Sequence, residues 1–229
     1  MANIDCWYYD DSQVGCLKAQ GSAWCDENCP IYKTVLSHFK KSNLPEKYWY
    51  PFTLHNVEVD KLEIKKLVSI RDNLSEFVNA GKNLLLQSDK CGNGKTSWGI
   101  KLLQRQIDIH HKGSSWSFPP AFFIYTPSLL LMGRDSISNK NSNFQMFKMY
   151  LENSDLVLFD DIGCINLKDY DLLVLSTIIE ARILNGLSSI FTTNLKENSL
   201  KEVLGERLYD RIFRLSEVIT FKAGSMRGK

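Results

Sequence analysis

No stretch of this chain approaches the roughly 20 consecutive apolar residues of a membrane-crossing helix, so no such helix is expected. A secretory start is missing too. Met1-Ala2-Asn3-Ile4-Asp5 carries an acid and no base, whereas a signal peptide opens with positive charge, and the cytoplasm is therefore the expected compartment. The chain also lacks a charge excess: 28 basic residues against 26 acidic ones leave a net charge of +2. A whole-molecule field for nucleic acid is excluded by that balance, and any DNA contact must come from a local patch. No internal repeat is present, which sets aside a stacked array. Residues 1 to about 30 are short of aliphatic side chains and cannot form a core unaided.

Cysteine is scarce except at one end. Four of the six, Cys6, Cys16, Cys25 and Cys29, precede Pro30, while Cys91 and Cys164 lie apart. In a cytoplasmic chain such clustering favours a metal site over disulfides. Cys25-Asp26-Glu27-Asn28-Cys29 allows two thiolates on one turn, and Cys16 and Cys6 complete a tetrahedral set for zinc. An iron–sulfur cluster suits the same four thiolates, unliganded cysteines are the third reading, and His55 is a replacement ligand.

The 229 residues are 44% hydrophobic and 24% charged, enough for one full core and a small appendage. Leu84 to Leu86 reads as a buried strand. Ser88-Asp89-Lys90-Cys91-Gly92-Asn93-Gly94 follows, then Lys95-Thr96 and helical spacing at Trp98, Ile100, Leu102, Leu103 and Ile107. Strand, Gly-bearing loop and helix in that order suit a nucleotide phosphate: loop N–H groups and the helix N-terminus surround the anion. Gly92, Asn93, Gly94, Lys95, Thr96 and Ser97 form the expected ATP-binding set, with Lys95 on the β- and γ-phosphates and Thr96 on Mg²⁺. Asp89 stands where the usual motif has its first Gly, which puts a carboxylate at the loop mouth.

A second motif pairs with the first. Asp155 to Phe159 is a strand ending in Asp160 and Asp161. A carboxylate at a strand end can hold the Mg²⁺ shell, and its neighbour can polarise the attacking water. Asp160 takes the Mg²⁺ role and Asp161 the water role. Asp at the second position, where Glu is commoner, suggests slow hydrolysis.

Further along, Ala121–Tyr125, Ser189–Asn194 and Val218–Phe221 read as strands. Helical patterns cover Ile31–Lys41, Leu62–Ala80, Thr126–Met132, Asn143–Asn153, Leu172–Leu184 and Leu200–Leu215, with a polar loop at Ser136–Asn143. Strands alternating with helices imply an α/β fold with a parallel sheet flanked by helices. The boundary falls near residue 42, giving a Cys-rich metal-binding module over 1–41 and an ATPase domain over 42–229.

From Asn83 to Arg227 the chain resembles the AAA+ ATPases of the DnaC/DnaI helicase-loader and IstB transposition-helper group. The resemblance rests on Cys91-Gly92-Asn93-Gly94-Lys95-Thr96, Phe159-Asp160-Asp161-Ile162-Gly163, Ile190-Phe191-Thr192-Thr193-Asn194-Leu195, Leu204-Gly205-Glu206-Arg207-Leu208-Tyr209-Asp210-Arg211 and Gly224-Ser225-Met226-Arg227. Ser42 to Leu54 resembles the short flank before that domain, and the Cys-rich segment is similar to the zinc-binding, helicase-interacting domain of the DnaI branch. The resemblance implies that Asn194 is a sensor of the γ-phosphate or attacking water. It implies that Arg211, with Arg207 as the alternative, is an arginine finger acting on a neighbouring subunit. Arg227 becomes a second sensor, and Arg182 another group facing a neighbour. Fingers acting in trans imply an ATP-dependent homo-oligomer. The family's helical insertion maps to Ser128–Lys148, where Arg134, Lys140, Lys148, Phe144 and Phe147 would meet single-stranded DNA, or else form an ordinary hairpin with core Phe and solvated Lys. His110-His111-Lys112 reads as a solvated helix end. The implied function is ATP-dependent loading of a replicative DNA helicase onto single-stranded DNA, in a phage or mobile-element version. The rivals are a transposition helper and an ATP-binding adaptor that barely hydrolyses.

Overall fold

The computed structural model describes residues 30–49, 52, 54, 57–110, 117–138, 142–164 and 166–226. Cys6, Cys16, Cys25, Cys29, His55, Lys140 and Arg227 lie outside these residues, as do His111 and Lys112. Among the described residues no group of three or more His, Cys, Asp or Glu could hold a metal ion. The expected zinc module therefore has no structural support here.

Five strands carry the architecture: β1 (Asn83–Gln87), β2 (Ala121–Tyr125), β3 (Leu156–Asp160), β4 (Ser188–Thr193) and β5 (Ser216–Thr220). They form one sheet in the order β2-β3-β4-β1-β5, and every pairing is parallel. Leu85 pairs with both Phe191 and Val218, and Leu158 with Ile190. Strands covered on both faces are rich in apolar residues, as Leu84–Leu86 of β1 and Leu156–Phe159 of β3 are, although the equally buried β4 carries Ser and Thr at its ends; the edge strand β5 is partly exposed.

Alternating side chains feed two core layers. On one face Leu84, Leu86, Leu158 and Ile190 pack with Phe39, Leu67, Trp98 and Leu103. On the other Leu85, Val157, Phe159 and Phe191 pack with Leu175, Ile178, Leu200 and Leu208. The helices are α1 (Pro30–Lys41), α2 (Lys61–Asp72), α3 (Leu74–Asn79), α4 (Lys95–His110), α5 (Thr126–Ser138), α6 (Ser142–Asn153), α7 (Asp169–Leu184) and α8 (Glu197–Tyr209). Among the described residues none of them is long and apolar enough to cross a membrane. α1 places Val35 and Phe39 in the same core as α4.

Three expected boundaries shift. The single helix over Leu62–Ala80 is two, broken at Asn73, whose backbone N and side-chain Nδ2 both donate to Ser69 O, at 3.1 Å and 3.0 Å. α5 runs on to Ser138, where a loop was expected. The last helical pattern breaks at Gly205, which has φ 71° and ψ 162°, and ends as a π turn over Asp210–Arg214. The left-handed φ at Gly205 is open to glycine without steric cost.

Arg182 corrects a further expectation. It does not face a neighbouring subunit: it is fully buried in α7. Its guanidinium donates to Leu151 O at 2.6 Å, Ser154 O at 2.8 Å, Ser189 Oγ at 2.9 Å and Ser188 O. Burial pushes its pKa down to about 9, which still leaves it charged at neutral pH. One cation thus satisfies carbonyls at the end of α6 and the starts of β3 and β4. Arg182→Met is expected to leave those acceptors unpaired and to cost about 3 kcal/mol or more, read as a lower urea midpoint. An unchanged midpoint would show that the network adds nothing to stability.

Candidate nucleotide site

The sheet order puts the C-terminal ends of β3, β4 and β1 side by side. Everything the motifs singled out at those ends is therefore brought to one rim. After β1 the chain turns back through Ser88–Gly94 into α4, with Gly92 at φ 75° and Gly94 at φ 94°. A Cβ at Gly94 would meet nothing nearer than Met226 Cε at 3.5 Å, so left-handed backbone, not space, calls for glycine there. Inside the loop Asn93 Nδ2 donates to Ser88 Oγ at 2.7 Å. Lys95 Nζ donates to Lys90 O at 2.8 Å and Asn93 Oδ1 at 3.0 Å, so the ammonium lies inside its own loop. Burial lowers the Lys95 pKa, while Cys91, Asp161, Asp160 and Asp89 pull it back up. An anion in the loop would reverse that burial penalty.

Asp89 does not obstruct the loop. Its carboxylate pairs with Lys196 Nζ at 3.4 Å and does not line the cavity.

Asp160 joins three segments. Its Oδ1 accepts Thr96 Oγ1 from the start of α4 at 2.8 Å and Thr192 Oγ1 from β4 at 2.7 Å. Burial raises its pKa, and the two hydroxyl hydrogen bonds act the other way. Thr96 and Asp160 present hard oxygen donors side by side, the chemistry Mg²⁺ takes. Thr192 was not singled out in the sequence, because a Thr in a β-branched strand looks like ordinary β propensity. Its hydroxyl also accepts Asp161 N–H at 2.8 Å.

Asp161 has φ 61°, left-handed for a non-glycine residue. Such strain is often found at functional positions. Its carboxylate accepts Asn194 Nδ2 at 2.8 Å, so the two residues assigned to water and γ-phosphate meet directly. Cys164 lies beside this carboxylate. Burial and then the Asp161 charge push its thiol up to about 11, which keeps it protonated.

A cavity of about 610 Å³ opens over this rim. Its polar end is formed by Gly92 to Ser97, Asp160, Asp161, Thr192 and Asn194. Val57, Ile64, Phe221 and Met226 add an apolar wall, and of these only Met226 belongs to a motif read in the sequence. The C-terminal segment is tied down there: Met226 N donates to Gly92 O at 2.8 Å, and Lys222 N to the buried Asp60 carboxylate at 2.7 Å. A polar end and an apolar wall match the two halves of a nucleotide.

The arginines sit elsewhere. Glu180 of α7 accepts Arg207 Nη2 at 2.8 Å and pairs with Arg211 Nε at 3.2 Å. Neither arginine lines the nucleotide cavity; Arg211 lines a separate groove with Leu184 and Leu215. The helical hairpin of α5 and α6 takes the plainer of its two readings. Phe144 is buried, Phe147 packs edge-on against Phe122 at 5.6 Å, and Arg134 is held by the buried Asp171. Lys148 pairs with Glu152 at 3.6 Å. Phe144 is core, and Phe147 packs half-buried against it.

No protein-family model matches the chain, and no curated protein matches it. Solved structures do. The DnaC helicase loader superposes with a TM-score of 0.61 at 23% identity, covering 78% of this chain and 100% of that one. DnaI superposes with a TM-score of 0.60 at 20% identity, covering 78% of this chain and 94% of that one. The replication initiator DnaA bound to AMPPCP and single-stranded DNA gives a TM-score of 0.61 at 16% identity, over 79% of this chain and 51% of that one. At these identities the likeness is one of fold: the chain shares the fold of DnaC, DnaI and DnaA.

Proposed function

We propose that this chain is an ATPase that switches with its nucleotide and acts in replication initiation, loading a replicative DNA helicase onto single-stranded DNA. The observation that carries the nucleotide part is the joint at Asp160, where Thr96 of the phosphate loop and Thr192 of β4 meet one carboxylate. The helicase part is supported by the fold shared with the DnaC helicase loader. ATP is held by Gly92 to Ser97, with Arg227 as a further nucleotide contact. Mg²⁺ held at Thr96 and Asp160 would offset phosphate charge. Asp161, oriented by Asn194, is placed to accept a proton from a water molecule. The partners in this reading are a helicase, single-stranded DNA and further copies of this chain. The Cys-bearing N-terminal segment is the helicase-facing part, with zinc or an iron–sulfur cluster at its cysteines.

Asp161→Asn is expected to keep ATP affinity and lower steady-state hydrolysis about a hundredfold, the loss typical of a missing general base. Turnover equal to the wild type would remove Asp161 from the chemistry. A wild-type rate already at background would favour the adaptor.

Arg211→Ala should bind ATP but hydrolyse it about a thousandfold more slowly, as arginine fingers do. Mixed with Lys95→Ala protein, it should regain part of the rate at composite sites. Equal mixing with demonstrated co-assembly and no recovery would exclude a finger acting between subunits. The helicase partner is tested by affinity capture of the purified replicative helicase on the full chain and on a chain lacking residues 1–29. Capture by the full chain alone is expected. Equal capture by both would move the contact to the ATPase domain, and capture by neither would end the loader reading.

A further inference from the structure

Among the described residues that line the nucleotide cavity, Lys47 is the cation besides Lys95. It stands on the short turn Glu46–Tyr48, outside both phosphate motifs. Two sets of contacts fix that turn. Before it, Ser42 O accepts Phe123 N at 2.9 Å and Asn43 Nδ2 donates to Phe123 O at 2.9 Å, so the segment leaves α1 along the free edge of β2. Two residues further on, Tyr125 of β2 lines the cavity. Within the turn, Tyr48 O accepts Gln104 Nε2 at 2.7 Å. Gln104 belongs to α4, the helix that begins with Lys95 and Thr96. The Tyr48 ring meets Phe52 edge-on at 5.0 Å.

Those anchors decide from which side Lys47 enters. The segment comes in from the β2 edge, next to β3 and its terminal Asp160, not from the β5 edge, where Phe221 and Met226 form the apolar wall. Lys47 stands within electrostatic reach of Asp160. Yet it makes no ion pair with any described carboxylate, and its Nζ lies 4.7 Å from the centre of the Tyr48 ring. A solvent-facing ammonium held at the acidic end of the cavity without a carboxylate of its own is available to an anion there. A triphosphate carries more negative charge than Lys95 alone offsets.

We propose that Lys47 is a phosphate-binding residue that contacts the terminal phosphate of a bound nucleoside triphosphate from the β2 side. The proposal rests on the reading that this cavity holds such a nucleotide. It gives the flank between α1 and the ATPase core a direct sense of the nucleotide's state: the contact exists with the triphosphate and is lost with the diphosphate.

The experiment compares ATP and ADP binding by the full chain and its Lys47→Met and Lys47→Arg variants, using isothermal titration with Mg²⁺. Lys47→Met should weaken ATP about tenfold, leave ADP within about twofold, and melt with the wild type. Lys47→Arg should bind ATP like the wild type, because the charge is kept. Equal weakening of ATP and ADP, no weakening of either, or failure of arginine to restore ATP binding would each overturn the proposal. Lys95→Ala is the control for the cavity itself. If it loses neither nucleotide, the cavity reading fails and Lys47 falls with it; if it loses both, the Lys47 result stands on its own.

Discussion

One carboxylate, that of Asp160, holds the rim of the sheet together at the point where phosphate chemistry would occur. It takes hydroxyl hydrogen bonds from the first turn of α4 and from β4 while sitting at the end of β3. This geometry depends on strand order. β4 lies next to β3, so Thr192 of β4 reaches the Asp160 carboxylate, and Asp160 itself takes Thr96 from the start of α4. Asp160 carries a desolvation penalty as a result. Such a penalty in an unliganded site is relieved when a cation arrives.

The same rim explains why Asp161 and Asn194 meet. Asp161 leaves β3 with left-handed backbone, its N–H donated to Thr192 Oγ1 and its carboxylate accepting from Asn194 Nδ2. A strained residue held from two directions is pre-set, and pre-set groups need little reorganisation when a substrate binds. Arg211 lines a different groove, where it and Arg214 pair with Glu180 and Asp210, and neither Arg211 nor Arg207 lines the nucleotide cavity.

Much of this was legible in the sequence, for a physical reason. Parallel strands buried on both faces show as unbroken apolar runs, so β1 and β3 were visible with their polar ends attached. Asp160 and Asp161 stand at the end of β3, Asn194 just after β4, and Lys95 and Thr96 at the start of α4, and all five line one cavity. What stayed hidden depends on contacts distant in sequence. Thr192 looks like any β-branched strand residue until Asp160 is beside it. Arg182 shows its charge in sequence but not its burial, and five polar partners from three segments make the difference. Arg134 and Phe144 suggested a nucleic-acid surface by residue type, whereas packing gives one to Asp171 and the other to the core. Lys47 belongs to no motif, and only the anchoring of its turn to β2 and α4 brings it to the cavity.

Direct titration of ATP into the full chain, with Mg²⁺ and again with the metal chelated, tests the central claim most closely. Saturable binding of one ATP per chain is expected, weakening about tenfold or more without Mg²⁺, because Thr96 and Asp160 would then face the phosphates with no cation between them. Absence of ATP binding, or binding indifferent to Mg²⁺, would contradict it.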